Sequence, residues 1–382
     1  MNERVRVLLI GAGELGGNVL ELLARVPGMA PMTVADTNAD WGRRKTNSAI
    51  EGASYAGLYP EISFESLDLL DIDRTAELIA RLKPAVIYNS TSLQSWWVVN
   101  ELPPEVNKKL YRDKCGLGPW ISMHLALAYK LMQAVQASGV DTLVINAAYP
   151  DVTNPSLGRK GLAPAVGIGN SDLIVPYVKK ATSEQLGVPM REVQVELIAH
   201  HYHTYYWCRT GEGYDAPHHL RVIAGGVDVT GELGDMREFI ASLPKHGMRP
   251  AGRHGQFVVA SSSAKNILAM LLDTKELTNA PGPQGLEGGY PVRLGRKGAE
   301  VVVPEGMTLE AARELNLQAQ VYDGVQEILD DGTVVMTPES FQTFQELFDI
   351  DSNSVKPETA YEQAMDLRAR FLAFARQHGV TV

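Results

Sequence analysis

Cysteine is scarce: Cys115 and Cys208 are the two in 382 residues, and they form neither a CxxC pair nor a disulfide framework. A disulfide-stapled fold is excluded, and a reducing, cytoplasmic setting is expected. Long apolar runs are missing too, so no membrane span is expected. The opening MNERVRVLLIGAG runs from its apolar stretch straight into a glycine loop, with no small-residue cleavage region, so it does not read as a signal peptide. Positive charge is also thin. No basic run exceeds GRRK and the formal net charge is -10, which argues against a nucleic-acid surface. There is no internal repeat and no low-complexity segment. What is present is an ordinary globular balance, 45% hydrophobic and 21% charged. The length suits two domains or one large α/β unit acting on a small molecule. A homo-oligomer, dimer or tetramer, is expected.

The first half alternates strand and helix signals. RVRVLLIGAG, PMTVADT, ISFESLDLLD, PAVIYNS and DTLVINAA read as buried strands. ELGGNVLELLARV, DRTAELIARL and ISMHLALAYKLMQAVQAS read as the helices between them. That alternation implies βαβ crossovers and a doubly wound parallel sheet of the Rossmann type over residues 1–164. The segment from Thr91 to Pro119 is too long for a plain connection and reads as a loop over the site or a packing insertion. Later the pattern changes. RVIAGGVDVTGEL, YPVRLGRKGAEVVVPEG and VQEILDDGTVVMT have hairpin character, with helices such as SSSAKNILAMLLDT and TAYEQAMDLRARFLAFARQ interspersed. Residues 165–382 are therefore expected to form an α+β catalytic domain set against the first.

The stretch GAGELG places Gly11, Gly13 and Gly16 between the first strand and the first helix. Gly11 permits the tight turn, Gly13 lets backbone approach a pyrophosphate, and Gly16 lets the helix pack close to the sheet. Glu14 and Leu15 complete the loop. Asp36 ends the second strand, where a carboxylate accepts hydrogen bonds from ribose hydroxyls and repels a 2′-phosphate. NAD is expected as cofactor. NADP stays open because Arg43, Arg44 and Lys45 stand nearby, although a solvated helix face is the better reading of them. Ligands in such sheets sit beyond the carboxyl ends of the strands. Asn89, Ser90 and Thr91 after the fourth strand, and Asn146 after the fifth, are therefore candidates for holding the cofactor and a substrate oxygen.

Five stretches occur in a telling order: VINAAYPDVTN, VGIGNSDLIVPYVKKATSEQLGV, VQVELIAHHYH, SSSAKNILAMLLD and YPVRLGRKGAEVVVPEGMTLEAARELN. Together they resemble the lactate/malate dehydrogenase superfamily, over about residues 4 to 317. The residues beyond have no counterpart there. The resemblance implies that His201 is the proton donor and acceptor for a hydride transfer, Asp172 its carboxylate partner, and Asn146 the group orienting the substrate oxygen. Imidazole chemistry suits such a role, because the alkoxide left by hydride transfer needs a proton near neutral pH. Two departures matter. The helix position where the family has its substrate arginine is Val175 here, and the active-site loop offers no clear arginine beyond Arg112. A bidentate carboxylate clamp is not evident, and Trp96, Trp97, Tyr205, Tyr206 and Trp207 suggest a larger or flatter substrate than a simple 2-hydroxy acid.

The stretch AHHYHTYYW holds three histidines. On a strand, His201 and His203 would share a face and could bind a metal, with His200 turned away. The same superfamily includes NAD-dependent glycosidases, which GIGN and YHTYYW also resemble. Their metal-binding cysteine would fall at Gly169, so a third ligand would have to come from elsewhere, for example His218 or His219. A two-residue offset in the correspondence would make His203 the acid/base. The leading expectation is an NAD(P)-dependent oxidoreductase acting on a carbonyl, alcohol or imine carbon. Competing readings are a metal-assisted, NAD-retaining glycosidase or lyase, an enzyme similar to saccharopine or opine dehydrogenases, and a cofactor-sensing binding protein.

Overall fold

Every apolar run that reads as a strand in the first half pairs in parallel with its neighbours. The computed structural model of the chain describes residues 6–111, 115–250 and 252–380. The strands β1 (Val7–Ile10), β2 (Met32–Asp36), β3 (Ile62–Ser66), β4 (Val86–Asn89), β5 (Leu143–Asn146) and β6 (Val166–Gly167) form one sheet in the order β3-β2-β1-β4-β5-β6. The connections carry α1 (Glu14–Ala24), α2 (Ala39–Ser54), α3 (Ile72–Leu82), α4 (Pro104–Tyr111), α5 (Ile121–Ser138) and α6 (Pro150–Gly158). Side chains alternate along a strand, so each strand feeds both faces. Leu8, Ile10 and Ile87 join a core with Ile79 of α3 and Leu125 of α5. Val7, Leu9 and Tyr88 join the opposite core with Val19 and Leu23 of α1. Burial on both faces is why these strands are continuously apolar.

Past β6 the strands turn antiparallel, as the hairpin signals suggest. After α7 (Ser171–Leu186) come β7 (Val193–Ile198), α8 (His201–Tyr205), β8 (His219–Ala224) and β9 (Val227–Asp228). The three strands make one sheet. The β8–β9 turn is Gly225-Gly226 with φ of 56° and 83°, the positive values that a tight two-residue hairpin requires. Then α9 (Met236–Gly247) and α10 (Gln256–Leu272) precede a second antiparallel sheet of β10 (Leu277–Pro281), β11 (Gly289–Gly295) and β12 (Gly298–Val301), and α11 (Leu309–Gln320) follows.

The remaining chain folds as β13 (Val325–Ile328), β14 (Val334–Met336), α12 (Pro338–Phe348), β15 (Ser354–Val355) and α13 (Ala360–Gln377). It does not extend the second half. Its apolar side chains share the core of α3 and α5. Trp120 stands edge-on to Phe344, Phe348 and Phe371 at centroid distances of 5.0, 5.9 and 5.3 Å. β6 lies beyond 164 yet belongs to the first sheet, and the last two helices return to it. No helix among the described residues is long and apolar enough to cross a membrane.

The aromatic cluster holds this returning segment to the sheet, so Trp120→Ala should remove about 3–5 kcal/mol of stability. Denaturant unfolding of the purified variant, read by midpoint and slope, measures the loss.

Candidate functional site

The glycine loop is built as its spacing implies. Gly11 has a φ of 96°, and a Cβ there would sit 2.8 Å from Ser90 Oγ. A Cβ on Gly16 would fall 1.8 Å from the Gly11 carbonyl oxygen, so α1 reaches the sheet through glycine alone. Gly13 is different: a Cβ there meets nothing within 4 Å. It precedes α1 without a capping side chain, leaving the first N–H groups of the helix turned to the cleft. Asp36 Oδ2 accepts from Ala12 N at 2.7 Å and Oδ1 from Asn38 N at 2.8 Å. A carboxylate has lone pairs to spare, so two ribose hydroxyls can still be received. The loop, the open space above Gly13 and Asp36 therefore fit a dinucleotide. Arg44 is paired with Asp40, Lys45 lies 5.1 Å from the Trp41 ring, and Arg43 lies 6.0 Å from the Phe64 ring. All three have neighbours other than a ribose phosphate.

One cavity of about 440 Å3 runs from this loop inward. Gly11, Gly13, Glu14, Leu15, Gly16 and Asp36 line its outer part, with Ser90 and Thr91 beside them. Described residues of the segment from Thr91 to Pro119 line the cavity, Trp96, Trp97 and Tyr111 among them. Arg112, the candidate within that segment, lies outside the described residues. Arg253 reaches across the mouth, with Nε 2.5 Å from Glu14 Oε2 and its guanidinium 5.8 Å from the Trp97 ring.

The inner end is formed around His201. β7 stops at Ile198, Ala199 bridges to Gly289, and the chain then turns into α8. The turn has a specific cause: Asp151 Oδ1 accepts His201 N at 2.9 Å, so a buried carboxylate caps the helix start. The histidines thus sit on a helix and not on a strand. Residues two apart on a helix point to nearly opposite sides, which separates His201 from His203. His203 is fully buried, with its ring nitrogens 3.2 Å from the His200 carbonyl and 3.3 Å from the Ala216 carbonyl. The shared-face metal pair and the offset that would favour His203 both lose their geometric basis.

His201 has a carboxylate partner, but the residue differs from the expected one. Asp323 Oδ2 lies 2.8 Å from His201 Nδ1 and also accepts the Tyr149 hydroxyl at 2.6 Å, while Oδ1 accepts Leu117 N at 3.1 Å. A carboxylate acts here as an acceptor, so Nδ1 carries a proton toward it and Nε2 is the other nitrogen of the ring. Burial opposes the ionisation of Asp323, yet His201, His200 and the Tyr149 hydroxyl outweigh it and hold the carboxyl below its usual range. Tyr149 moves the other way, raised well above its ordinary value by burial and by the Asp323 charge, so it stays a donor. Asp172 is occupied elsewhere, with Lys265 Nζ 2.7 Å from Oδ1 and Ser262 Oγ 2.5 Å from Oδ2.

Asn146 is also redirected. Its Oδ1 accepts from Asn89 Nδ2 and Ala148 N, and its Nδ2 donates to Asn154 Oδ1 and to the Ala148 carbonyl. With both amide atoms used, it orders the floor beneath the cavity and has nothing left for a substrate. Asn89 belongs to the same chain of amides, its Oδ1 holding Thr91. The amides that do line the cavity are Gln256 and Asn170, the latter at a φ of 53° and tied through Nδ2 to Asp151. Arginines do reach the cavity, from other segments. Arg209 and Arg249 both line the inner cavity. Arg209 bonds the carbonyls of Arg249 and Pro250, and Arg249 keeps Nε and Nη1 enclosed without a hydrogen-bond partner among the described residues.

This architecture has solved parallels. The fold is that of the lactate and malate dehydrogenases. The chain superposes on malate dehydrogenase of Cryptosporidium parvum with a TM-score of 0.57 at 15% identity, covering 83% of this chain and 96% of that one. Lactate dehydrogenase of the same organism, solved with lactic acid and nicotinamide adenine dinucleotide, gives 0.55 at 16%, covering 85% and 99%. Malate dehydrogenase of Salinibacter ruber gives 0.55 at 18%, covering 90% and 99%. No protein-family model matches the sequence, and no curated protein is significantly similar to it.

Two outcomes follow from the site. Burial holds His124 and His203 neutral, pulling them from 6.5 to about 4 and about 3. The unfolded chain takes up protons below 6.5 that the folded chain refuses, so stability should fall as pH drops from 7 to 4. The slope approaches about 1.4 kcal/mol per pH unit for each histidine. Melting temperatures across that range check it. Asp36→Ala should weaken NAD binding by about tenfold and narrow any preference over NADP, as read by titration of both nucleotides.

Proposed function

We propose that the protein is an NAD-dependent oxidoreductase of small metabolites, with His201 as the proton-transfer group and Asp323 as its partner. The observation that carries this reading is a single cavity whose outer end is the glycine loop with Asp36 and whose inner end is a histidine fixed by a buried carboxylate. Bound there, NAD supplies a two-electron hydride acceptor or donor at nicotinamide C4. The chain's own residues do the rest. His201 Nε2 takes the hydroxyl proton when an alcohol is oxidised and returns it when a carbonyl is reduced. Asp323 holds the ring tautomer and stabilises the imidazolium. Asp151 fixes the backbone position of His201 and the amide of Asn170, whose Oδ1 remains as an acceptor for a substrate or carboxamide donor. Arg209 and Arg249 supply positive charge for an anionic substituent of the substrate. These arginines come from the turn after α8 and from the α9–α10 connection, and not from the helix position that Val175 occupies.

The test starts with NADH absorbance and a panel of small carbonyl, hydroxy and imino compounds carrying one anionic group. With the substrate found, His201→Ala should lower turnover by roughly two to four orders of magnitude while NAD affinity holds. Asp323→Asn should also lower turnover strongly, because an amide cannot stabilise the imidazolium. Asp172→Asn should act on melting temperature instead. Arg249→Met should raise KM more than it lowers kcat. Unchanged turnover in His201→Ala would remove the proposal.

A further inference from the structure

We propose that Arg253 is an arm that binds the pyrophosphate of the dinucleotide, exchanging Glu14 for it. The inference rests on the cofactor reading above and adds to it a residue outside the glycine loop.

Glu14 poses the problem that Arg253 solves. It is the first residue of α1, at the uncapped helix start that the open space above Gly13 faces. A carboxylate there favours the helix dipole when the site is empty, but it repels a phosphate that comes to the same N–H groups. Arg253 stands at the point of conflict, 239 residues away in sequence, with Nε 2.5 Å from Glu14 Oε2. Its side chain is 60% exposed and that of Glu14 35%. So exposed an ion pair adds little to stability and is easily traded. A pyrophosphate offers the guanidinium a doubly charged acceptor within the span it already occupies, in bidentate geometry.

The third member is Trp97. Arg253 lies 5.8 Å from its ring, and Trp97 sits in the short helical turn Trp96–Glu101 that overhangs the cavity. Arg253 itself belongs to the turn Gly252–Gly255, where Gly252 has a φ of 55°. The arm thus links α1, the overhanging segment and the entrance to α10. The guanidinium can pass from Glu14 to pyrophosphate while it keeps its contact with the Trp97 ring.

An exchange has a signature that a static tie lacks. If the pair merely held the segment in place, breaking it from either side would have the same effect on nucleotide binding. In an exchange, Arg253→Ala removes a ligand and Glu14→Gln removes a competitor. Calorimetric titration of the purified protein with NAD, ADP-ribose and adenosine reads this directly. Arg253→Ala should weaken NAD and ADP-ribose by roughly tenfold and leave adenosine unchanged. Glu14→Gln should tighten NAD and ADP-ribose severalfold. Melting temperatures of both variants should stay close to the parent, since the pair is exposed. Equal shifts in the same direction, or equal loss for adenosine, would overturn the exchange while leaving the cofactor reading intact. Failure of the parent protein to bind NAD or ADP-ribose would instead sink the cofactor reading, and the arm with it.

Discussion

The carboxylate of Asp323 is the point on which the inner site depends. It receives the His201 ring, the Tyr149 hydroxyl and the Leu117 N–H, so three distant segments are fixed by one buried anion. Such a charge is costly to bury alone and is sustained by its donors. The surrounding backbone is shaped to reach it. Gly116 has a φ of 63°, and a Cβ there would lie 2.4 Å from the Asp323 backbone; a Cβ on Gly324 would lie 2.0 Å from the Cys115 carbonyl oxygen. The base of the overhanging segment and the Asp323 turn are therefore pressed backbone to backbone. The position of that segment and the orientation of the proposed proton-transfer group are set by the same contact.

A second buried carboxylate, Asp151, works in the opposite electrostatic sense. Burial raises it, and the neighbouring histidines and Asn170 only partly offset that. Between the two acids lies His200, fully enclosed and held toward neutrality by burial. The inner wall thus has an acidic side behind His201 and a cationic side at Arg209 and Arg249. In the proposed reaction that polarity would turn an anionic substituent away from the carboxylates and toward the arginines.

Much of this was legible in the chain, and the failures share a physical character. Local signals held. The glycine spacing, the apolar strands, the Gly225-Gly226 hairpin and the histidine at the end of β7 are all properties of short stretches. What escaped was non-local satisfaction. Asn146 looked available at a strand end, but its four hydrogen-bonding positions are filled by Asn89, Ala148 and Asn154. Asp172 sits in the first turn of α7, where Ser262 and Lys265 of α10 reach it before any histidine does. The strand reading of AHHYHTYYW failed because Asp151 starts a helix there, from 50 residues away in sequence. Asp323 lies in VYDGV, a stretch with no motif to mark it, beyond the span that resembles the dehydrogenases.

The late position of Asp323 bears on how the chain acquires its chemistry during synthesis. The nucleotide loop, Asp36 and the first five strands all lie within the first 146 residues. Those strands are made while more than half of the sequence is still to come, and later residues such as Ile267, Tyr290 and Phe371 complete the cores on their two faces. The histidine follows, but its tautomer is not set until residue 323 has emerged and docked against Tyr149 and Leu117. The aromatic grip of Phe344, Phe348 and Phe371 on Trp120 comes later still. In the proposed reaction, the loop that would hold the nucleotide is thus made well before the carboxylate that would orient the proton-transfer group.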